Sequence, residues 1–123
     1  MNVLPLHKKA VELARFEYGF MDHFTFVLRR KKVICIGQNQ YRTHTFARRH
    51  KYKYPFIHSE LDAVRNFPWP IKELSKCRVV NLRLDMAGHL TMAAPCEYCL
   101  PLLDMFGAKE IWYSNWKGEV VEL

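Results

Sequence analysis

His58 and the pair Cys96 and Cys99 constrain this chain more than any other feature. If these soft donors, far apart in sequence, hold one metal ion, the segments that carry them must fold against each other. They stand in His58-Ser59-Glu60 and Pro95-Cys96-Glu97-Tyr98-Cys99. A catalytic zinc takes three protein ligands and leaves its fourth tetrahedral position to a water whose pKa falls to about 7. His58, Cys96 and Cys99 are three such donors, and Glu60 is a carboxylate that need not bind metal and can carry protons. A Cys-x-x-Cys pair alone also occurs in redox dithiols and structural zinc knuckles. A lone His ahead of a helix is commonly an ordinary hydrogen-bonded residue. The combination is what points to an open metal site, since neither Cys35 nor Cys77 has a neighbour at ligand spacing. His44, His50 and His89 remain as fourth donors from a distance, which would make the metal structural.

Half of the 123 residues are hydrophobic, with eight Phe, six Tyr and three Trp, which suits one core and a single domain over 1–123. No apolar run approaches the roughly 18 residues of a membrane span. Met1 to Lys9, interrupted by Pro5 and His7, has no apolar signal-peptide region. The expectation is a soluble, cytoplasmic protein with reduced cysteines. Cys35, in Val33-Ile34-Cys35-Ile36, and Cys77 read as ordinary buried or half-buried thiols. The net charge of +7 is concentrated in Arg29-Arg30-Lys31-Lys32 and in residues 41–54, where Arg42, Arg48, Arg49, Lys51 and Lys53 stand with no acidic residue. Such a bias suits a phosphate-bearing partner. The first cluster reads equally well as a charged hairpin turn. In the second, Arg42, Arg48, Arg49 and Lys51 are placed to clamp a phosphate, Arg being the better match to bidentate geometry.

Apolar residues at Leu6, Ala10, Leu13 and Ala14 predict an amphipathic helix from Pro5 to about Glu17. Phe24, Phe26 and Leu28 alternate with Thr25 and Arg29 over 23–30, and Lys32 to Ile36 is a β-branched run, so the two segments predict a hairpin. Residues 37–57 read as a long irregular, functional loop. A helix follows over 58–67, stopped by Pro68 and Pro70. Arg78 to Asp85 reads as a strand and 86–89 as a turn. The next helix opens at Pro95 or Cys96 and runs to Phe106, with Gly107 as terminator. Such a start would put Cys96 and Cys99 on one helix face, although Pro101 falls early in it. Strands at 110–114 and 119–123 close the chain as a hairpin. The order αββαβαββ predicts an α/β protein with helices packed on the faces of a sheet.

His58-x-Glu60 followed by Pro95-Cys96-x-x-Cys99 resembles the signature of the zinc nucleobase deaminases. On these residues the chain resembles the cytidine and deoxycytidylate deaminase superfamily, over residues 23–123. The resemblance implies a three-layer α/β/α sandwich around a central mixed five-stranded sheet, of the cytidine deaminase-like kind. It implies Zn2+ held by His58, Cys96 and Cys99. It also implies that Glu60 is the proton shuttle, and that the Ser59 N–H and the carbonyl of Ala93 or Ala94 hold the pyrimidine edge. Asn39 resembles the Asn that superfamily members present to the sugar hydroxyl, although it is equally a turn residue. Thr43-His44 resembles the pair that follows this Asn in deoxycytidylate-like members, making His44 a substrate candidate beside Arg42. Ser59 stands where Ala is frequent, a change expected to leave the chemistry undisturbed. The C-terminal hairpin looks like the nucleoside branch, while His58-Ser59-Glu60-Leu61-Asp62-Ala63 looks like the deoxycytidylate branch. A homo-oligomer is also implied.

The leading expectation is therefore a zinc-dependent hydrolase that converts a cytosine nucleotide or nucleoside to its uracil product with release of ammonia. A cytosine deaminase acting on single-stranded DNA or RNA is the second, because Tyr41, Phe46, Tyr52 and Tyr54 interleave with the basic residues. A non-catalytic zinc protein that binds nucleic acid is the third. Tyr98 or Tyr113 could stack on a base, Trp112 reads better as core, and Trp116 as an exposed turn residue.

Overall fold

Phe24, Phe26 and Leu28 alternate with Thr25 and Val27 along strand β1 (Asp22–Arg29), and all five are buried because both faces of the strand are covered. The computed structural model describes residues 1–17, 21–40 and 58–123. Within these, β1 forms the expected hairpin with β2 (Lys32–Gln38) and pairs on its other side, antiparallel, with β3 (Arg78–Leu84). Strand β5 (Glu110–Ser114) joins β3 in parallel, and β6 (Val120–Glu122) closes the other edge antiparallel to β5. The sheet order is β2-β1-β3-β5-β6, a mixed sheet with the five strands read from the sequence. A two-residue strand, β4 (Leu90–Thr91), adds to it by pairing with the end of β3. Its pair of residues is too short to leave a periodic signal.

Two apolar layers sandwich the sheet. Helix α1 (Leu4–Leu13) sets Leu6 and Ala10 against Phe24, Phe26, Leu28, Val80, Leu82 and Leu84. On the opposite face, Ala63 and Val64 of α2 (Ser59–Asn66) and Leu103 of α3 (Cys99–Met105) pack with Val27, Val79 and Ile111. A 3-10 turn at Ile71–Lys76, not anticipated from the sequence, contributes fully buried Leu74 to this second layer. The architecture is the α/β/α sandwich, and alternate residues of β1 and β3 serve its two layers because strand side chains alternate faces.

Helix α1 ends at Leu13, short of the expected Glu17. The reason is tertiary. The carboxylate of buried Asp22, at the start of β1, accepts the backbone N–H groups of Arg15 and Phe16, both at 3.1 Å. These bonds take the chain out of the helix and hold Phe16 at a left-handed φ of 51°, a conformation that costs a bulky residue about 1 to 2 kcal/mol. Asp22→Ala would leave both donors without their acceptor. It is expected to lower stability by about 2 to 3 kcal/mol, read as a lower urea midpoint at unchanged slope. A wild-type midpoint would show that the carboxylate does not anchor this turn.

Helix α3 also starts later than expected, at Cys99. Pro101 explains the shift. A proline is tolerated in the first turn, whose N–H groups have no helical partner, and a start at Pro95 or Cys96 would have placed it in the interior. Cys96 therefore precedes the helix, one turn ahead of it, where its carbonyl accepts the N–H of Leu100 at 3.0 Å.

Candidate metal centre and adjoining cavity

The beginnings of α2 and α3 meet on one side of the sheet, and the three sulfur and nitrogen donors meet with them. His58 is the N-cap of α2, and its Nδ1 lies 3.8 Å from Cys96 Sγ and 3.5 Å from Cys99 Sγ. All three donor atoms fall within 4.8 Å of one another. Zinc bonds of about 2.3 Å to sulfur and about 2.0 to 2.1 Å to nitrogen, at a tetrahedral angle, put the two atoms about 3.6 Å apart. The donor set therefore fits zinc in chemistry and in spacing. Burial pushes the His58 imidazole below its ordinary pKa, against the opposing pull of the Glu60 carboxylate, so the ring is neutral at pH 7 and keeps a lone pair for a metal. The N–H of Cys99 points at Cys96 Sγ, 3.4 Å away.

Glu60 is buried at 5 % exposure in the first turn of α2 and lines a crevice with Cys99, Leu61, Leu102 and Leu103. It is not one of the grouped donors. Its Oε1 accepts the Ser59 hydroxyl at 2.9 Å. Helix α2 reaches this position by lying directly on β2: Gly37 sits where a Cβ would come within 2.1 Å of the Ser59 carbonyl oxygen. Asp62, also buried, accepts the N–H of Gln38 at 2.9 Å and ties the helix to the same strand.

A cavity of about 190 Å³ opens beside the donors, lined by Met21, His23, Asn39, His58 and Ser59. Its polar lining includes two expected substrate residues, Asn39 and Ser59. The Asn39 amide is already engaged with β1: Oδ1 accepts the His23 N–H at 3.1 Å and Nδ2 donates to the Met21 carbonyl at 2.5 Å. These bonds are the turn role weighed for Asn39, and they leave the amide one N–H and one lone pair without a partner among the described residues. His23 was not singled out from the sequence. Burial, followed by the charges of Arg83 and His58, lowers its pKa to about 4, so it presents a neutral ring. A polar residue at the head of a buried alternating strand was the available signal.

Ala94 is exposed, two residues ahead of Cys96, while Ala93 is buried and donates its N–H to the Ser114 carbonyl at 2.8 Å. Arg42 and His44 lie outside the described residues, as do Thr43, His50, Arg48, Arg49, Lys51 and Lys53. His89, a possible fourth metal ligand in the sequence, sits instead on the exposed turn after β3, with Nδ1 3.6 Å from Asp85. Cys35 and Cys77 are free thiols whose pKa values burial raises, that of Cys35 to about 11, which suits inert side chains. Trp112 is partly buried against the α1 layer and donates Nε1–H to Glu110 at 3.0 Å, and Trp116 is 74 % exposed. Tyr98 caps α3, half-buried.

The cluster Arg29 to Lys32 surrounds a separate surface cleft with Ile34 and Trp69, and the Arg29 guanidinium stands 5.5 Å over the Trp69 ring. It occupies the other end of β1 from His23, about 20 Å away at about 3.4 Å per residue. That distance removes it as a clamp for a small ligand held in the cavity.

By sequence the chain matches no family model and no curated protein. By structure it is similar to the dCMP deaminase of the cyanophage S-TIM5 in its apo form, with a TM-score of 0.56 and 14 % identity over 94 % of this chain and 86 % of that one. The same phage enzyme in complex with dCMP and dUMP matches with a TM-score of 0.52 and 14 % identity, over 91 % of this chain and 79 % of that one. Among the described residues no helix is long and apolar enough to cross a membrane.

Proposed function

We propose that this chain, which has the fold of the cytidine and deoxycytidylate deaminase superfamily, is a hydrolytic deaminase that turns a cytosine nucleotide or nucleoside into the uracil product and ammonia. The observation that carries this reading is a His-Cys-Cys donor set at tetrahedral spacing with a buried, non-ligating carboxylate two residues beyond the His. His58, Cys96 and Cys99 would hold zinc. Bound there, the metal supplies a water made nucleophilic near neutral pH. Glu60 takes the proton that this water gives up and delivers it to the ring nitrogen. It then carries a second proton to the departing amine, as a C–O bond replaces the C–N bond. The apolar walls around Glu60 keep bulk water from competing for these protons.

Several observations favour a free pyrimidine nucleotide. The cavity is small, Arg83 stands opposite His23 in the β1–β3 pair and its positive charge acts on that lining residue, and the similar phage enzyme was captured with dCMP and dUMP. The cleft at Arg29 to Lys32 and Trp69 is the feature that would suit a polynucleotide, and it lies away from the donors. The test is ammonia release and product identity for zinc-loaded protein with cytidine, deoxycytidine, their monophosphates and a cytosine-containing single-stranded oligonucleotide. Turnover of a monophosphate is expected. Turnover of the oligonucleotide alone would replace this reading with a strand-acting deaminase, and zinc binding without turnover of any base would replace it with a non-catalytic protein.

A further inference from the structure

Thr25 and Asn81 are polar residues in the middle of the two central strands, on the face that packs against α2. They stand directly opposite each other in the β1–β3 pair and are 0 % and 2 % exposed. Valine would fit such positions, and a buried hydroxyl or amide destabilises unless it is hydrogen-bonded. The partners of these two lead into the metal centre. Asn81 Oδ1 lies 2.7 Å from Thr25 Oγ1, Thr25 Oγ1 lies 2.8 Å from Ser59 Oγ, and Ser59 Oγ lies 2.9 Å from Glu60 Oε1. Every member of this row is buried.

The number of protons determines how the row works. Thr25 has one hydroxyl proton, which Asn81 Oδ1 and Ser59 Oγ share as acceptors. Ser59 Oγ accepts from Thr25 and donates its own proton to Glu60 Oε1. Among the described residues, no hydrogen bond is made to Glu60 Oε2, and that oxygen is left without a fixed partner.

We propose that the Ser59 hydroxyl, anchored by Thr25 and Asn81 in the sheet, is a positioning group that fixes Glu60 through Oε1 and leaves Oε2 as the oxygen that moves protons. This role rests on the deaminase reading. It departs from the sequence expectation that Ser in place of Ala at 59 leaves the chemistry undisturbed. Positioning of this kind alters the chemical step and leaves substrate affinity largely alone, because the hydroxyl acts through Glu60.

The experiment measures kcat and KM for the wild-type enzyme, Ser59→Ala, Thr25→Val and Thr25→Ser on the substrate that the wild type turns over, with zinc content and melting temperature recorded for each. Ser59→Ala is expected to lower kcat by about 10- to 100-fold, with KM changed less than about threefold and zinc retained. Thr25→Val should lower kcat more than Thr25→Ser, which keeps the hydroxyl and so rescues part of the loss. A Ser59→Ala enzyme with wild-type kcat, or a loss of kcat matched by a loss of zinc, overturns the role while leaving the deaminase reading in place. Failure of the wild type to deaminate any base overturns both.

Discussion

Glu60→Gln is expected to reduce kcat by about 10³- to 10⁴-fold, the upper part of the range for general acid–base catalysis, because in the proposed mechanism one side chain serves both proton transfers. The substitution is close to isosteric. The carboxamide oxygen still accepts the Ser59 hydroxyl, which holds Glu60 Oε1 at 2.9 Å, so the side chain should stay in its buried crevice. What it loses is the ability to accept a proton. Glu60 is not among the grouped donors His58, Cys96 and Cys99, and zinc stoichiometry should remain at the wild-type value. Single-turnover rates measured beside metal content on the same preparation make the distinction. Activity within tenfold of wild type would remove Glu60 as the shuttle, and loss of zinc would make it a ligand.

Gly37→Ala should cause the largest loss of stability among single methyl additions to the described fold. A Cβ at this position would come within 2.1 Å of the Ser59 carbonyl oxygen, 2.3 Å of the Ala63 nitrogen and 2.8 Å of the Ala63 Cα. All three atoms are backbone, so no side chain can rotate away, and β2 and the start of α2 must separate. Overpacking of this severity costs about 3 kcal/mol or more. The displacement falls on the turn of helix that carries His58, Ser59 and Glu60, so zinc affinity should fall together with the denaturation midpoint. Both readouts at wild-type values would mean that the helix does not lie on the strand at Gly37. Cys35 provides a control on the same strand. It is a half-buried thiol donating to the Ala63 carbonyl at 3.4 Å, and Cys35→Ala, which only removes atoms, should leave zinc binding intact.

Much of this molecule is legible in local sequence. The alternation of Phe24, Phe26 and Leu28, the β-branched run after Lys32, and Val79 to Leu84 specify their strands, because the two-residue period depends only on neighbours along the chain. The donors His58, Cys96 and Cys99 are likewise identifiable from residue type and spacing, and the structure brings them to one point. Errors gather at element ends. Asp22 ends α1 from a distance, and Pro101 delays α3 by favouring a place in its first turn. His23, Thr25 and Asn81 were passed over as site residues because a polar side chain inside an alternating strand has no local partner to announce it.

The sequence by itself determined the kind of layer each segment could build and the chemistry available to the candidate metal centre, since periodicity and donor type are properties of the residues. Only the tertiary structure decided that Thr25 and Asn81 should face each other beneath α2, that Gly37 should admit the helix backbone, and that Ser59 should meet Glu60 from below. Those outcomes depend on hydrogen bonds and contacts between residues far apart in the chain. Their energies exist only once β1, β3 and α2 have packed together and excluded the water that would otherwise satisfy the same polar groups.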